Sequence, residues 1–247
     1  MATRANGTDE LVLVHSSDLH VDNTEIDAID GYHGLVGLQA VLGKAAALGA
    51  DVLLLAGDTF ENHRVSQAVL RQTADLLAAV PLPIVLLPGN HDSILPDCMF
   101  VRGGLNAVPN LHLLGVTHPD AVLFPEHDLE ICGRAHRGFD DMSPLHPSRQ
   151  RTTRWQIVVA HGHYVPPDEW AAEAHRSWRI SDEALLATQA DYIALGHWDR
   201  AAQVGDGTVP AYYSGAPHLA GTVNVVRLSR LSGVTVAREP LQRAEEN

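Results

Sequence analysis

Short polar runs follow apolar stretches at five places in this chain, and their residue types are those that bind metal ions and move protons. They are Asp18-x-His20, Gly57-Asp58, Gly89-Asn90-His91-Asp92, His161-Gly162-His163 and Gly196-His197-Trp198-Asp199. An Asn side chain offers a carbonyl oxygen, a His offers a ring nitrogen or a transferable proton, and an Asp can ligate or hold a neighbouring His. In Asp18-x-His20, alternate residues of an extended segment point the same way, so both side chains can reach one point. Taken singly, each run reads equally well as an ordinary turn. Their recurrence at successive strand ends gives them weight.

The elements that must position these side chains follow from hydrophobic period. Residues 11–15, 51–56 and 84–87 are apolar and partly β-branched, the pattern of buried strands. Residues 51–56 are apolar on both faces, as in a covered parallel sheet. Leu35, Leu38, Leu42 and Ala45 repeat at helical spacing and end near Gly49. Val69, Leu70, Thr73, Leu76 and Leu77 line a second helix that begins near Ser66 and stops at Pro81. Strand, helix, strand, helix, strand predicts an α/β fold with a parallel sheet and a ligand crevice at the strands' C-terminal edge. Further short strands are expected at 111–114, 121–124 and 129–132, forming a second, more antiparallel sheet. Residues 156–160, 191–195, 211–217 and 222–228 read as later strands, and 234–236 is expected to close the second sheet. No repeat or linker divides the chain, so residues 1–247 read as one domain with a loose tail at 1–10.

Hydrophobic content of 45% and charged content of 19% over 247 residues are those of a globular chain with a sizeable core. No apolar run approaches a membrane span, and the first residues lack the apolar stretch of a signal peptide. Cys98 and Cys132 form neither a disulfide framework nor a CxxC motif, so a reducing cytoplasm is the expected location. The net charge of −13 argues against a surface that wraps long nucleic acid. A small phosphate-bearing substrate remains compatible, because bound metal ions dominate the local field. Between Gly133 and Trp155, Arg134, Arg137, Arg149, Arg151 and Arg154 gather with His136 and His146. A solvated connection is the simpler reading, and a basic flap over an anionic substrate the sharper one.

The ordered set Asp18-x-His20, Gly57-Asp58, Gly89-Asn90-His91-Asp92, His161-Gly162 and Gly196-His197-x-Asp199 resembles the calcineurin-like metallophosphoesterase superfamily, from the first strand to Pro217. Ser16-Ser17-Asp18-Leu19-His20, Leu55-Ala56-Gly57-Asp58-Thr59-Phe60 and Tyr212-Tyr213-Ser214-Gly215-Ala216-Pro217 are most similar to its Mre11/SbcD-type exonuclease-like branch. The resemblance implies a four-layer α/β/β/α sandwich of two mixed sheets flanked by helices. It also implies two divalent metal ions, manganese first, with ferrous iron or zinc as alternatives. Asp18 and His20 would bind the first ion, Asp58 would bridge both, and Asn90, His161 and His197 would bind the second. The last motif position normally carries a His on the first metal. Here it is Asp199, which as a ligand would add negative charge and favour harder ions, and otherwise leaves that metal weakly held.

His91 would then donate a proton to the leaving oxygen, with Asp92 orienting its ring. Asn62 and His163 are candidate substrate contacts, and Trp198 either packs or stacks on a base. The implied activity is hydrolysis of phosphodiester bonds, in nucleic acid or nucleotides, by in-line attack of a hydroxide bridging the two metals. A phosphomonoesterase or cyclic-nucleotide phosphodiesterase acting on a small ester is the alternative. A binding module of the same fold without catalysis is the third reading.

Overall fold

Two six-stranded sheets stack face to face and carry helices outside them. This architecture is seen in a computed structural model that describes residues 10–23, 34–145, 149–174 and 177–242. Most of the expected N-terminal tail, His33 and His146 lie outside the described residues. The first sheet begins with β1 (Glu10–Ser16), α1 (Gly34–Ala47), β2 (Val52–Ala56), α2 (Gln67–Ala78) and β3 (Ile84–Leu87), with the three strands parallel. A short α3 (Met99–Arg102) leads to β4 (Leu111–Leu113). The second sheet takes β5 (Ala121–Phe124), β6 (Leu129–Gly133) and β7 (Trp155–His161). A small pair, β8 (His163–Tyr164) and β9 (Arg179–Ile180), and the helix α4 (Asp182–Ala187) come next. They precede β10 (Tyr192–Gly196), β11 (Ala202–Val204) and β12 (Ala211–Tyr213) of the second sheet. The chain then forms α5 (Pro217–Ala220) and the hairpin β13 (Thr222–Ser229) and β14 (Gly233–Pro240).

Alternation along the strands builds the layers. Val12 and Val14 of β1 face the helices and pack with Leu38, Val41 and Leu70. Leu13, between them, faces the other sheet and packs with Ile157, Val159 and Tyr192. On the far side of the second sheet, Val158, Ala160, Ile193 and Leu195 are covered by Leu145, Ile180 and Leu185. Both sheets are therefore buried on both faces, which is why their central strands read as continuous apolar runs. The second helix starts where the sequence predicts, since the Ser66 hydroxyl caps it by accepting from the Val69 amide at 3.2 Å.

Four expectations about the sheets are corrected. β4 belongs to the first sheet, parallel to β3 with Ile84 opposite Leu111 and Leu86 opposite Leu113. Its apolar side chains, Leu111 and Leu113, join the helix-side core, and the crossover through α3 delivers the strand to the free edge of β3. The C-terminal hairpin also joins the first sheet, because β13 fills the other edge of β1 in antiparallel register from Glu10–Ser229 to His15–Asn224. The second sheet is parallel through β6, β7, β10 and β12, with antiparallel strands only at its edges. Residues 214–217 do not continue β12; the chain turns at Gly215, with φ of 75°, and enters α5 at Pro217.

Candidate metal centre

Five parallel strands from the two sheets end side by side, and each carries one of the polar runs just past its C-terminus. Asp18 and His20 follow β1, Asp58 follows β2, and Asn90, His91 and Asp92 follow β3. His161 is the last residue of β7, and His197 follows β10. The β1–β2 ladder continues into the loops, with Asp18 N–H on the Gly57 carbonyl at 3.0 Å and His20 N–H on the Asp58 carbonyl at 3.1 Å. The second sheet is pinned to the first at the same place. The His161 ring donates Nδ1–H to the Ala56 carbonyl at 2.9 Å, and the His197 amide reaches Asp18 Oδ2 at 3.0 Å.

The backbone here is held in unusual conformations. Asp18, His20, Asp58 and His197 have φ of 54°, 45°, 52° and 109°. Left-handed backbone costs a non-glycine residue roughly 1–2 kcal/mol, so four such residues around one point mark a place where local comfort yields to side-chain placement. Two motif glycines serve the same end by allowing close approach. A β-carbon at Gly89 would run into the Asp58 carboxylate and amide, and one at Gly196 would run into the Ala56 carbonyl.

Among the described residues, the side chains form three overlapping clusters of ligand-type atoms: Asp58, His161 and His197; Asp18, His20 and Asp58; and His20, Glu61 and His91. Asp58 is common to the first two and His20 to the last two. Asn90 joins the first, its Oδ1 lying 2.9 Å from His161 Nε2, and Asp58 Oδ2 is 3.1 Å from the same nitrogen. Burial pushes the Asp18 carboxyl up to about 6, with the Asp58 charge adding to the rise and His161 opposing it. Burial would raise Asp58 too, but the adjacent His161 ring outweighs it and holds Asp58 well below the usual carboxylate range. The reciprocal effect is larger than the desolvation of His161, whose ring is pushed up to about 9 by Asp58 and Asp18. Asp18, Asp58 and Asp92 are each no more than 2% exposed. The buried Asp18 and Asp58 carboxylates, faced by the His161 ring, make a pocket suited to cations. Oxygen and imidazole donors without thiolate suit divalent manganese, iron or zinc, so the donor set fits the expected metals.

Other expected site residues lie differently. Asp199 is exposed, and its side chain joins none of the ligand-type clusters found among the described residues. Asp92 does not touch the His91 ring. Its Oδ1 accepts from the Gly89 amide at 2.7 Å and its Oδ2 from the Thr59 and Phe60 amides at 2.9 and 3.3 Å, because the carboxylate points back into the loop after β2. Burial and the Asp58 charge push its carboxyl up to about 7 against these amides. The His91 ring is held by a residue that sequence reasoning passed over: the Glu61 carbonyl accepts from Nδ1 at 2.8 Å. Asn62 is exposed, and its Oδ1 accepts from the Arg64 amide at 2.9 Å. His163 is tied to Trp198, whose Nε1–H donates to His163 Nδ1 at 3.1 Å, and lies 3.5 Å from Glu173. Trp198 itself stacks on Tyr213 with 4.3 Å between ring centroids, the packing alternative. Arg151 and Arg154 pair with Asp191 and Asp128, just before β10 and β6, at the strand edge opposite the clusters.

A cleft of about 400 Å³ opens above the clusters, walled by Glu61, Asn62, Asn90, His91, Phe139 and Trp178. Phe139 is 71% exposed, and Trp178 packs its ring edge-on to His136 and His197.

The sequence profile of the calcineurin-like phosphoesterase family matches residues 11–200, a span that holds every one of these strand-end motifs. The chain belongs to that family. Within it, the chain is similar to the SbcD component of the nuclease SbcCD of Bacillus subtilis, at 22% identity over 83% of this chain and 61% of that protein. It is also similar to a "Probable cyclic nucleotide phosphodiesterase" of Vesicomyosocius okutanii, at 26% identity over 33% of each chain. The chain thus spans about three fifths of the nuclease component and a third of the phosphodiesterase. A solved protein of Thermus thermophilus shares the fold with a TM-score of 0.59 at 12% identity, covering 92% of this chain and 98% of that one. The two mixed six-stranded sheets with flanking helices are the family's α/β architecture. Among the described residues, no helix is long and apolar enough to cross a membrane.

Proposed function

We propose that this protein is a metal-dependent phosphodiesterase acting on nucleotide-type or short nucleic-acid diesters. The observation that carries the reading is the meeting of Asp18, His20, Asp58, Asn90, His161 and His197 at one strand edge, beneath a cleft walled by His91. Asp18, His20 and Asp58 would hold one ion, and Asp58, Asn90, His161 and His197 the other. Bound there, two divalent ions, manganese first, would supply Lewis acidity for an attacking water and for the phosphoryl oxygens.

His91 serves the leaving group. Its Nδ1–H is committed to the Glu61 carbonyl, so Nε2 is the nitrogen left for substrate. Burial disfavours charge on this ring, but the Asp58 carboxylate and Glu61 outweigh burial and hold it above the ordinary histidine range. This favours the form that carries a proton on Nε2, where a departing alkoxide can take it. Phe139 and Trp178 offer flat faces to a nucleobase at the cleft wall. The two relatives, named as a nuclease component and a "Probable cyclic nucleotide phosphodiesterase", support a diester substrate. The net charge of −13 favours a short one.

Rates on bis-p-nitrophenyl phosphate, p-nitrophenyl phosphate, 3′,5′-cyclic AMP and single-stranded DNA, each with manganese, test the reading. The diesters are expected to outrun the monoester. His91→Ala is expected to bind manganese as the wild type does while losing roughly 10²–10⁴ in turnover. Preference for the monoester would move the assignment to a phosphomonoesterase. Absence of turnover with manganese bound would replace it with a binding module.

A further inference from the structure

We propose that Glu61 positions both His20 and His91, its carboxylate facing His20 and its main-chain carbonyl holding His91, and so supports the first metal's side of the site from behind a ligand rather than as one. The inference rests on the metal-dependent reading above. Glu61 Oε2 lies 2.9 Å from His20 Nδ1, close enough for an ion pair although the oxygen stands out of line with the ring N–H. The carboxylate is held there by its neighbours. Asn23 Nδ2 donates to the same Oε2 at 2.9 Å, and the Glu61 amide donates to Asp22 Oδ1 at 2.6 Å. Both partners belong to the turn that follows His20, which is closed by the Asn23 amide on the His20 carbonyl at 3.0 Å.

His20 Nδ1 faces the Glu61 carboxylate, and the clusters show which groups stand around the ring. His20 shares one with Asp18 and Asp58, and another with Glu61 and His91; Glu61 shares none with Asp18 or Asp58. Glu61 therefore acts through His20 and is a positioning residue. With Nδ1 engaged by the carboxylate, Nε2 is the nitrogen presented to the Asp18–Asp58 side. A carboxylate behind a ligating histidine fixes its tautomer and ring orientation, and losing it typically costs 10–100-fold in metal affinity. On the other side of the loop, the Glu61 carbonyl fixes His91 in the same sense, and the His20 and His91 rings meet edge-on with 5.1 Å between centroids. Asp199 is exposed and outside every such cluster among the described residues.

The split between side chain and backbone supplies the test. Substitution of Glu61 removes the partner of His20 and leaves the carbonyl that holds His91. Nitrogen-15 spectra of the metal-free protein report both imidazole tautomers, and calorimetric titration with manganese alone reports affinity. Glu61→Ala is expected to mix the His20 tautomers, weaken one manganese site 10–100-fold and keep the His91 tautomer, which the carbonyl fixes, while lowering that ring's protonation because Oε1, 3.7 Å from His91 Nδ1, is gone. Glu61→Gln, nearly isosteric and still an acceptor, is expected to keep the His20 tautomer and bind manganese between the two. Asn23→Ala frees the carboxylate without touching Glu61 and is expected to follow Glu61→Ala in direction. Asp199→Ala is expected to titrate as the wild type. An unchanged His20 tautomer and unchanged affinities in Glu61→Ala would overturn the proposal, as would loss of a manganese site in Asp199→Ala alone. If the wild type binds no manganese, the metal-dependent reading falls, and the tautomer spectra still decide the role of Glu61.

Discussion

Asp92 and His91 are neighbours in sequence and act on different parts of the site. Asp92 gathers the amides of Gly89, Thr59 and Phe60, fastening the turn after β3 to the loop after β2. Asp92→Ala leaves three buried amides without an acceptor, at about 1–3 kcal/mol each. At roughly 2–4 °C per kcal/mol for a chain of this size, the melting temperature should fall by roughly 6 °C at the least and by about 20 °C at mid-range, read by circular dichroism. The His91 tautomer should stay as in the wild type, because its anchor is the Glu61 carbonyl. Ligand-type residues were legible as a set rather than singly, since Asp, Asn and His after successive apolar runs have few other reasons to recur. The partners of Asp92 and the part of Glu61 were not legible. Both depend on which way a loop folds back, and a Glu in a polar loop carries no signal of its own.

At the scale of elements, the strands on which the site stands were readable, and their assignment to sheets was less so. Ile84–Leu87 forms where its apolar run predicts, and β1, β2, β7 and β10 begin or end within a residue of expectation. The runs at β4 and β14 alternate in a way that suits either sheet, and only tertiary pairing with β3 and β13 decides between them. One inward-facing residue of β1 ties the two sheets by a polar contact. The His15 ring is fully buried, and its Nδ1 is 2.9 Å from the Tyr192 hydroxyl of β10. Burial outweighs a backbone contact with Leu195 and drives its protonation from an ordinary 6.5 down to about 3. Above pH 6.5 both folded and unfolded chains keep this ring neutral. As pH falls below 6.5 the unfolded chain takes up a proton that the folded one refuses until about pH 3, so stability is lost across that window. By pH 5 the loss from this group is about 2 kcal/mol. Raised carboxylates such as Asp18 push the other way, so the comparison is between wild type and His15→Asn. Urea denaturation at pH 7 and pH 5 should show a smaller drop in the variant, and equal drops would remove His15 as the cause.

At the scale of the molecule, the candidate centre is a joint between two sheets. His161 and His197 come from the second sheet and meet Asp58, Asn90 and Asp18 of the first. Ions held across that joint bind only the folded chain, and at 100 times Kd each site adds about 2.7 kcal/mol. Manganese should therefore raise the melting temperature by roughly 5–10 °C per site. Chelator should reverse the rise, and Asp58→Asn should blunt it; a melting curve indifferent to manganese in the wild type would count against the metal reading. The joint also bears on how the chain reaches its native state. The His197 amide and the Asp18 carboxylate it meets are 179 positions apart, so their contact forms only after both sheets exist. Closing so long a separation belongs to the last steps of assembly, and such contacts are largely absent from the folding transition state. An ion seated there would act as a latch rather than a seed, leaving the rate of folding nearly unchanged and lengthening the lifetime of the folded protein.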